Sequence, residues 1–220
     1  MKEIGSNTYD IPTHSLAGLD ISFHIKDLKE IIAFLEQRGI TTKNTRFSRY
    51  LEYLKKKSNS ESVDETKIFK NTKNGPFESS GDWYLYTLRE VHELMWILKG
   101  LKKHIPKGVD EKLKLIVSGQ DFAALDSNSL SRNTQFELRI ASYYCQAGCI
   151  VDLSKKTDII ALNNKYAFFT ECKRVGSPRQ LESRLSDASK QLRERMPRRY
   201  FRKNCNWLYR CRCYQSSICS

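Results

Sequence analysis

Between Ser131 and Arg195 the hydrophobic pattern changes period twice, from helix to strand and back, and this limits the possible folds more than any other feature. The run SRNTQFELRIASYYCQAG sets Phe136, Ile140 and Tyr144 along one side of a helix that Gly148 closes. Residues 149–153 form a short apolar strand, 154–156 a polar turn, and 157–162 a second strand. Asn163-Asn164 is a natural tight turn, because asparagine tolerates positive φ. A third strand covers 166–175, and Gly176-Ser177-Pro178 breaks it. In 179–195, Leu181, Leu185, Ala188 and Leu192 are spaced for one helix face. The order α-β-β-β-α predicts an α/β (α+β) core over residues 126–196.

The preceding 125 residues read as a mostly helical region with no chemistry of its own. Residues 27–38 carry Leu28, Ile31, Ile32 and Leu35 at helical spacing, and 45–57 carry Phe47, Tyr50, Leu51 and Leu54 on one face. The strongest helix spans 82–103, with Leu88, Val91, Met95 and Leu98 in a stripe and Trp83 and Trp96 expected in the core. The polar stretch 58–81 ends in Asn74-Gly75-Pro76 and reads as a loop or linker, while 112–118 is apolar and of undefined type.

Three charged residues stand inside the apolar hairpin. Side chains alternate along a strand, so Glu171 and Lys173 share a face and Cys172 points the other way. Asp158, on the neighbouring strand, is expected to lie beside Glu171 if the hairpin pairs through its Asn163-Asn164 turn. Two carboxylates brought together repel, and desolvation raises the cost. A divalent cation relieves both. Mg²⁺ prefers hard oxygen ligands and keeps several waters, so Asp158 and Glu171 suit it, with the backbone carbonyl of Cys172 as a further oxygen. Lys173 can orient or deprotonate the attacking water, or steady a phosphate. Such a constellation hydrolyses phosphodiesters by in-line attack.

Asp158 followed by Glu171-Cys172-Lys173 resembles the PD-(D/E)xK nuclease superfamily, which has the restriction-endonuclease-like fold. The family's proline before the aspartate is replaced by Thr157. The resemblance covers roughly 131–196. It implies an αβββαβ core, a Mg²⁺ cofactor with Mn²⁺ as substitute, and cleavage of nucleic acid, with DNA the expected substrate in restriction, repair or mobile-element work. It also implies a supporting metal carboxylate on the first helix, where Glu137 stands, and a glutamine on the second, where Gln191 stands. Many such nucleases pair to cut both strands, which leaves the oligomeric state open, with a homodimer as one arrangement. Arg174, Arg179 and Arg184 follow the site and are placed to hold DNA phosphates. The alternative is a catalytically inactive module of the same fold that binds DNA or a protein. Elsewhere the signals are weak. Glu65-Thr66-Lys67 repeats the Glu-x-Lys pattern in a polar stretch, and the four histidines have no metal-ligand spacing.

The net charge of +13 favours polyanionic partners. No apolar run reaches the roughly 18 residues of a membrane span, and MKEIGSNTYD lacks the apolar stretch of a signal peptide. A cytoplasmic protein without membrane contact is expected. The charge and the cysteines are both concentrated in residues 197–220, a basic tail with Cys205, Cys211, Cys213 and Cys219 in a spacing that matches no zinc finger. Back-translated and shifted by one base, the tail from Arg199 is compatible with a glycine followed by an alternating Ile/Val strand. A frameshift is the favoured reading there, leaving the last core strand missing or disrupted and an edge exposed, with a genuine basic tail as the alternative.

Overall fold

The computed structural model describes residues 20–196 apart from 71, 73, 74, 127, 128 and 176. The expectations for residues 197–220, including the tail cysteines and the last core strand, lie outside them. The described residues form a mixed α+β structure, mostly helical, with a small three-stranded antiparallel sheet.

Helices α1 (Ile21–Gln37) and α2 (Arg46–Ser58) pack as a pair, burying Leu28, Ile31 and Leu35 against Phe47, Tyr50 and Leu54. The next segment is more than a linker. Asp64 caps the one-turn helix α3 (Glu65–Ile68), and Ile68 and Phe69 enter the core. Phe69 stacks on Trp83 and meets Phe122 edge-on, with ring centroids 5.6 and 4.7 Å apart. Apolar side chains inside a polar run thus anchor the stretch 58–81. Glu65 and Lys67, the second Glu-x-Lys, are tied up locally, Glu65 with Lys57 and Lys67 with Asp64.

Helix α4 (Ser80–Lys103) starts with a reciprocal cap. Ser79 accepts from the Asp82 N–H, and Asp82 accepts from the Ser79 N–H. Trp83 is buried as expected; Trp96 is only half-buried and donates its indole N–H to His92 Nε2 at 2.8 Å. The undefined segment 112–118 lies mainly in helix α5 (Val109–Val117), which buries Leu113 and Ile116. Helix α6 (Leu130–Gln146) packs on α4 and α5. Its crossing with α4 is close, because a Cβ on Gly100 would meet the side chain and backbone of Ser142. At its end Gly148 takes φ +79°, the left-handed conformation that favours glycine.

A buried ionic cluster ties α6 to the earlier helices. Arg132 donates to Glu90 on α4, to Asp126 at 3.0 Å, and to the carbonyls of Gln120 and Asp121 at 3.0 and 3.2 Å. Arg46 on α2, fully buried, donates to the Ile116 carbonyl at 2.9 Å and to Gln135 on α6 at 2.6 Å. One hydrophobic core runs from Leu28 through Leu138 to Ala161, so the helical region and the α/β core share an interior. No described helix is long and apolar enough to cross a membrane.

Strands β1 (Ile150–Asp152), β2 (Ile159–Leu162) and β3 (Ala167–Thr170) are shorter than their apolar runs. They pair in sequence order, antiparallel throughout. Tyr144 of α6 covers one face, its hydroxyl 2.9 Å from Thr170 Oγ1 and its ring against Phe168. The alternate residues point the other way; after the sheet, a 3₁₀ turn introduces α7 (Leu181–Arg195). On that second face Ile150 and its cross-strand partner Leu162 are 62% and 39% exposed.

Candidate active site at the β2–β3 hairpin

The site is built by hairpin register. Ile159 pairs with Thr170 and Leu162 with Ala167. Continued by one residue, the same register sets Asp158, just before β2, opposite Glu171, just after β3. The turn differs from the sequence expectation. Both asparagines keep negative φ, and the reversal centres one residue later, on Asn164-Lys165. Asn163 donates its N–H to the Tyr166 carbonyl at 3.0 Å, while its side chain accepts from the N–H groups of Lys165 and Tyr166 at 2.9 and 2.7 Å. A side-chain acceptor thus replaces the strained backbone of an Asn-Asn turn. The difference matters. A turn centred on Asn163-Asn164 would slide the strands by two residues, about 7 Å, and set Asp158 against Phe169.

Asp158 is fixed by the backbone of the opposite strand, its Oδ2 accepting the Cys172 N–H at 2.8 Å. That N–H is the contact Cys172 makes with the site. Its side chain packs into the core, and burial pushes the thiol pKa up. Glu171 has a fully buried side chain. Burial and the nearby Asp158 carboxylate both push its pKa above the usual carboxylate range, and Arg195 opposes them.

Arg195, in the last turn of α7, carries the main contact. Its Nη1 donates to Glu171 Oε1 and Oε2 at 3.0 and 2.9 Å and lies 3.8 Å from Asp158 Oδ1. Glu137 enters from α6, with Lys112 of α5 hydrogen-bonded to its carboxylate. Burial raises the Glu137 pKa against the pull of Lys112, and Asp158 lies near enough to raise it further. Lys173, half-buried, is within electrostatic reach of Glu137 and Glu171 and lowers the pKa of both. Gln191, one turn before Arg195, has its Oε1 buried without a hydrogen-bond partner among the described residues. The sequence-derived set Glu137, Asp158, Glu171, Cys172 and Lys173 is thus brought together.

Arg174, Arg179 and Arg184 lie outside this cluster, exposed on the segment leading into α7 and on α7 itself, and make no ion pair among the described residues. Sequence reasoning missed Arg195 and Lys112. A buried carboxylate demands a cation, and Arg195 sits four residues after Gln191 on the same helix, so a search for partners on α7 could have found it. No spacing rule points to Lys112.

Asp158 and Glu171 are hard oxygen donors suited to Mg²⁺ or Mn²⁺. Among the described residues no three His, Cys, Asp or Glu side chains converge on one metal position. The arrangement therefore fits a two-carboxylate centre that leaves most coordination to water and substrate, with Glu137 held beside it by Lys112. No family model, curated protein or solved structure matches the chain.

Proposed function

We propose that this chain is a metal-dependent nuclease that hydrolyses phosphodiester bonds, with DNA as its substrate, on a restriction-endonuclease-like core. The observation that carries the reading is the register that sets Asp158 opposite Glu171, with Lys173 beside them. Bound there, Mg²⁺ or Mn²⁺ would supply Lewis-acid stabilisation of charge on the phosphoryl oxygens. Asp158 and Glu171 would hold the ion, with the Cys172 carbonyl as a third protein oxygen. Glu137, released from Lys112, would add negative charge beside it. Lys173 orients the attacking water and takes up or returns its proton. Gln191 offers its free oxygen to a water or to the substrate. Arg174, Arg179 and Arg184 hold the phosphate backbone and set affinity rather than sequence preference. Cutting both strands of a duplex would take two copies of the chain.

Plasmid cleavage tests this. The wild type nicks or linearises DNA with Mg²⁺ or Mn²⁺ and is silent in EDTA. Lys173→Ala loses about 100-fold or more of the rate, the scale of a general acid–base group, and still binds Mn²⁺. A second reading has one observation in its favour, the hydrogen bonds of Arg195 to both oxygens of Glu171. On that reading the fold is a non-catalytic module that binds DNA or a protein, its carboxylates satisfied by the chain's own cation. DNA binding without cleavage under either metal would decide for it.

A further inference from the structure

We propose that Arg195 is the resident counter-cation of the Asp158–Glu171 pair and competes with a divalent metal ion for that position; the inference rests on the nuclease function proposed above. Glu171 is fully buried, and a carboxylate taken out of water is costly without a cation. Arg195 supplies that cation through one nitrogen that donates to both Glu171 oxygens and lies 3.8 Å from Asp158. The same lone pairs would bind a metal. The guanidinium and the ion cannot both hold them.

The position of Arg195 on its helix suits displacement. It occupies the last turn of α7, and Met196 after it is already extended, at φ −74° and ψ 131°. Along α7 the one buried residue among those described is Ala188, two turns earlier, while Leu181 and Leu185 remain over a third exposed. Freeing Arg195 therefore breaks its hydrogen bonds to Glu171 and uncovers a side chain that is 29% exposed, without disturbing Ala188. The guanidinium keeps the two carboxylates together in the metal-free chain. It also lowers apparent metal affinity by the fraction of molecules in which it has let go.

The test is Mn²⁺ binding to the full chain, followed by electron paramagnetic resonance, for the wild type, Arg195→Gln and Arg195→Lys. Arg195→Gln removes the competitor and is expected to bind Mn²⁺ about tenfold tighter or more, whereas Arg195→Lys, which keeps a charge, stays within about threefold of the wild type. If Arg195→Gln and wild type bind equally and Asp158→Ala abolishes both, the competition is overturned and the nuclease site stands. If no variant binds Mn²⁺, the competition and the nuclease function both fall. Should Arg195→Gln not fold, ¹⁵N NMR of the wild-type guanidinium decides, with Arg195→Lys as the assignment control. Release of a hindered Arg195 group at saturating Mg²⁺ supports the proposal, and an unchanged resonance overturns it.

Discussion

Asp158 and Glu171 face each other across the hairpin because the pairing of Ile159 with Thr170 runs on by one residue. Asp158→Asn keeps an acceptor for the Cys172 N–H and removes one charge of the pair. Mn²⁺ affinity is expected to fall about tenfold or more, with the thermal midpoint moving by less than about 4 °C. Calorimetric titration and a melting curve on the same sample check both. A large drop in midpoint with unchanged Mn²⁺ affinity would make Asp158 a structural residue.

Arg132 is the hub of the buried cluster, bonded to Glu90 and Asp126 and to two carbonyls. Arg132→Met leaves two largely buried carboxylates, Glu90 and Asp126, with Arg46 at 3.7 Å from Glu90 as the remaining cation, and is expected to cost about 3–5 kcal/mol. Adding Glu90→Gln removes one of the two under-compensated charges and should recover part of that loss. Urea unfolding of the two variants measures the difference. Equal stability of single and double variants would contradict the coupling.

His92 accepts the Trp96 indole N–H at 2.8 Å, which requires a neutral ring with a free lone pair. Burial, and then His24 and Arg139, hold its pKa below the ordinary value of 6.5. As pH falls below 6.5 the unfolded chain takes up the proton first, so stability declines until the lower folded value is passed. His92→Phe should remove that part of the pH dependence and shift Trp96 fluorescence. Unfolding curves from pH 7.5 to 5 test this, and an identical slope in the variant would refute it.

Gly100 lies where α4 crosses α6, and Ser142 leaves no space for a Cβ. Gly100→Ala is expected to cost about 1–3 kcal/mol by forcing the helices apart, despite alanine's helix-propensity advantage of about 1 kcal/mol. Gly81→Ala, in the first turn of the same helix, meets only Ser79 Oγ at 3.4 Å. It should be neutral or stabilising. A Gly100→Ala variant as stable as Gly81→Ala would mean that the crossing is looser than described.

The order α-β-β-β-α, the helical character of residues before 126 and the core place of Trp83 were legible in the sequence, because burial on one face leaves a 3.6- or 2-residue period. Asp158, Glu171 and Lys173 stood out too, since charged side chains in apolar strands break the period they sit in, whereas Glu137 and Gln191 were pointed to only by the family resemblance. Local pattern was silent on what long-range contacts decide. Phe69 is buried because Trp83 and Phe122, from later segments of the chain, pack on its ring. The hairpin turns on Asn164-Lys165 because the Asn163 side chain binds the backbone of the turn, a choice that strand periodicity cannot make, since a slip of two residues leaves every side chain on its face. The Arg195–Glu171 and Lys112–Glu137 pairs join separate elements across the fold. Sequence alone determined which charges stand in the hairpin strands, and no period along the chain marked Arg46, Glu90 or Arg132 as buried. Only the tertiary structure decided which charges meet, because electrostatic partners are set by distance in space and desolvation, and neither follows a repeat along the chain.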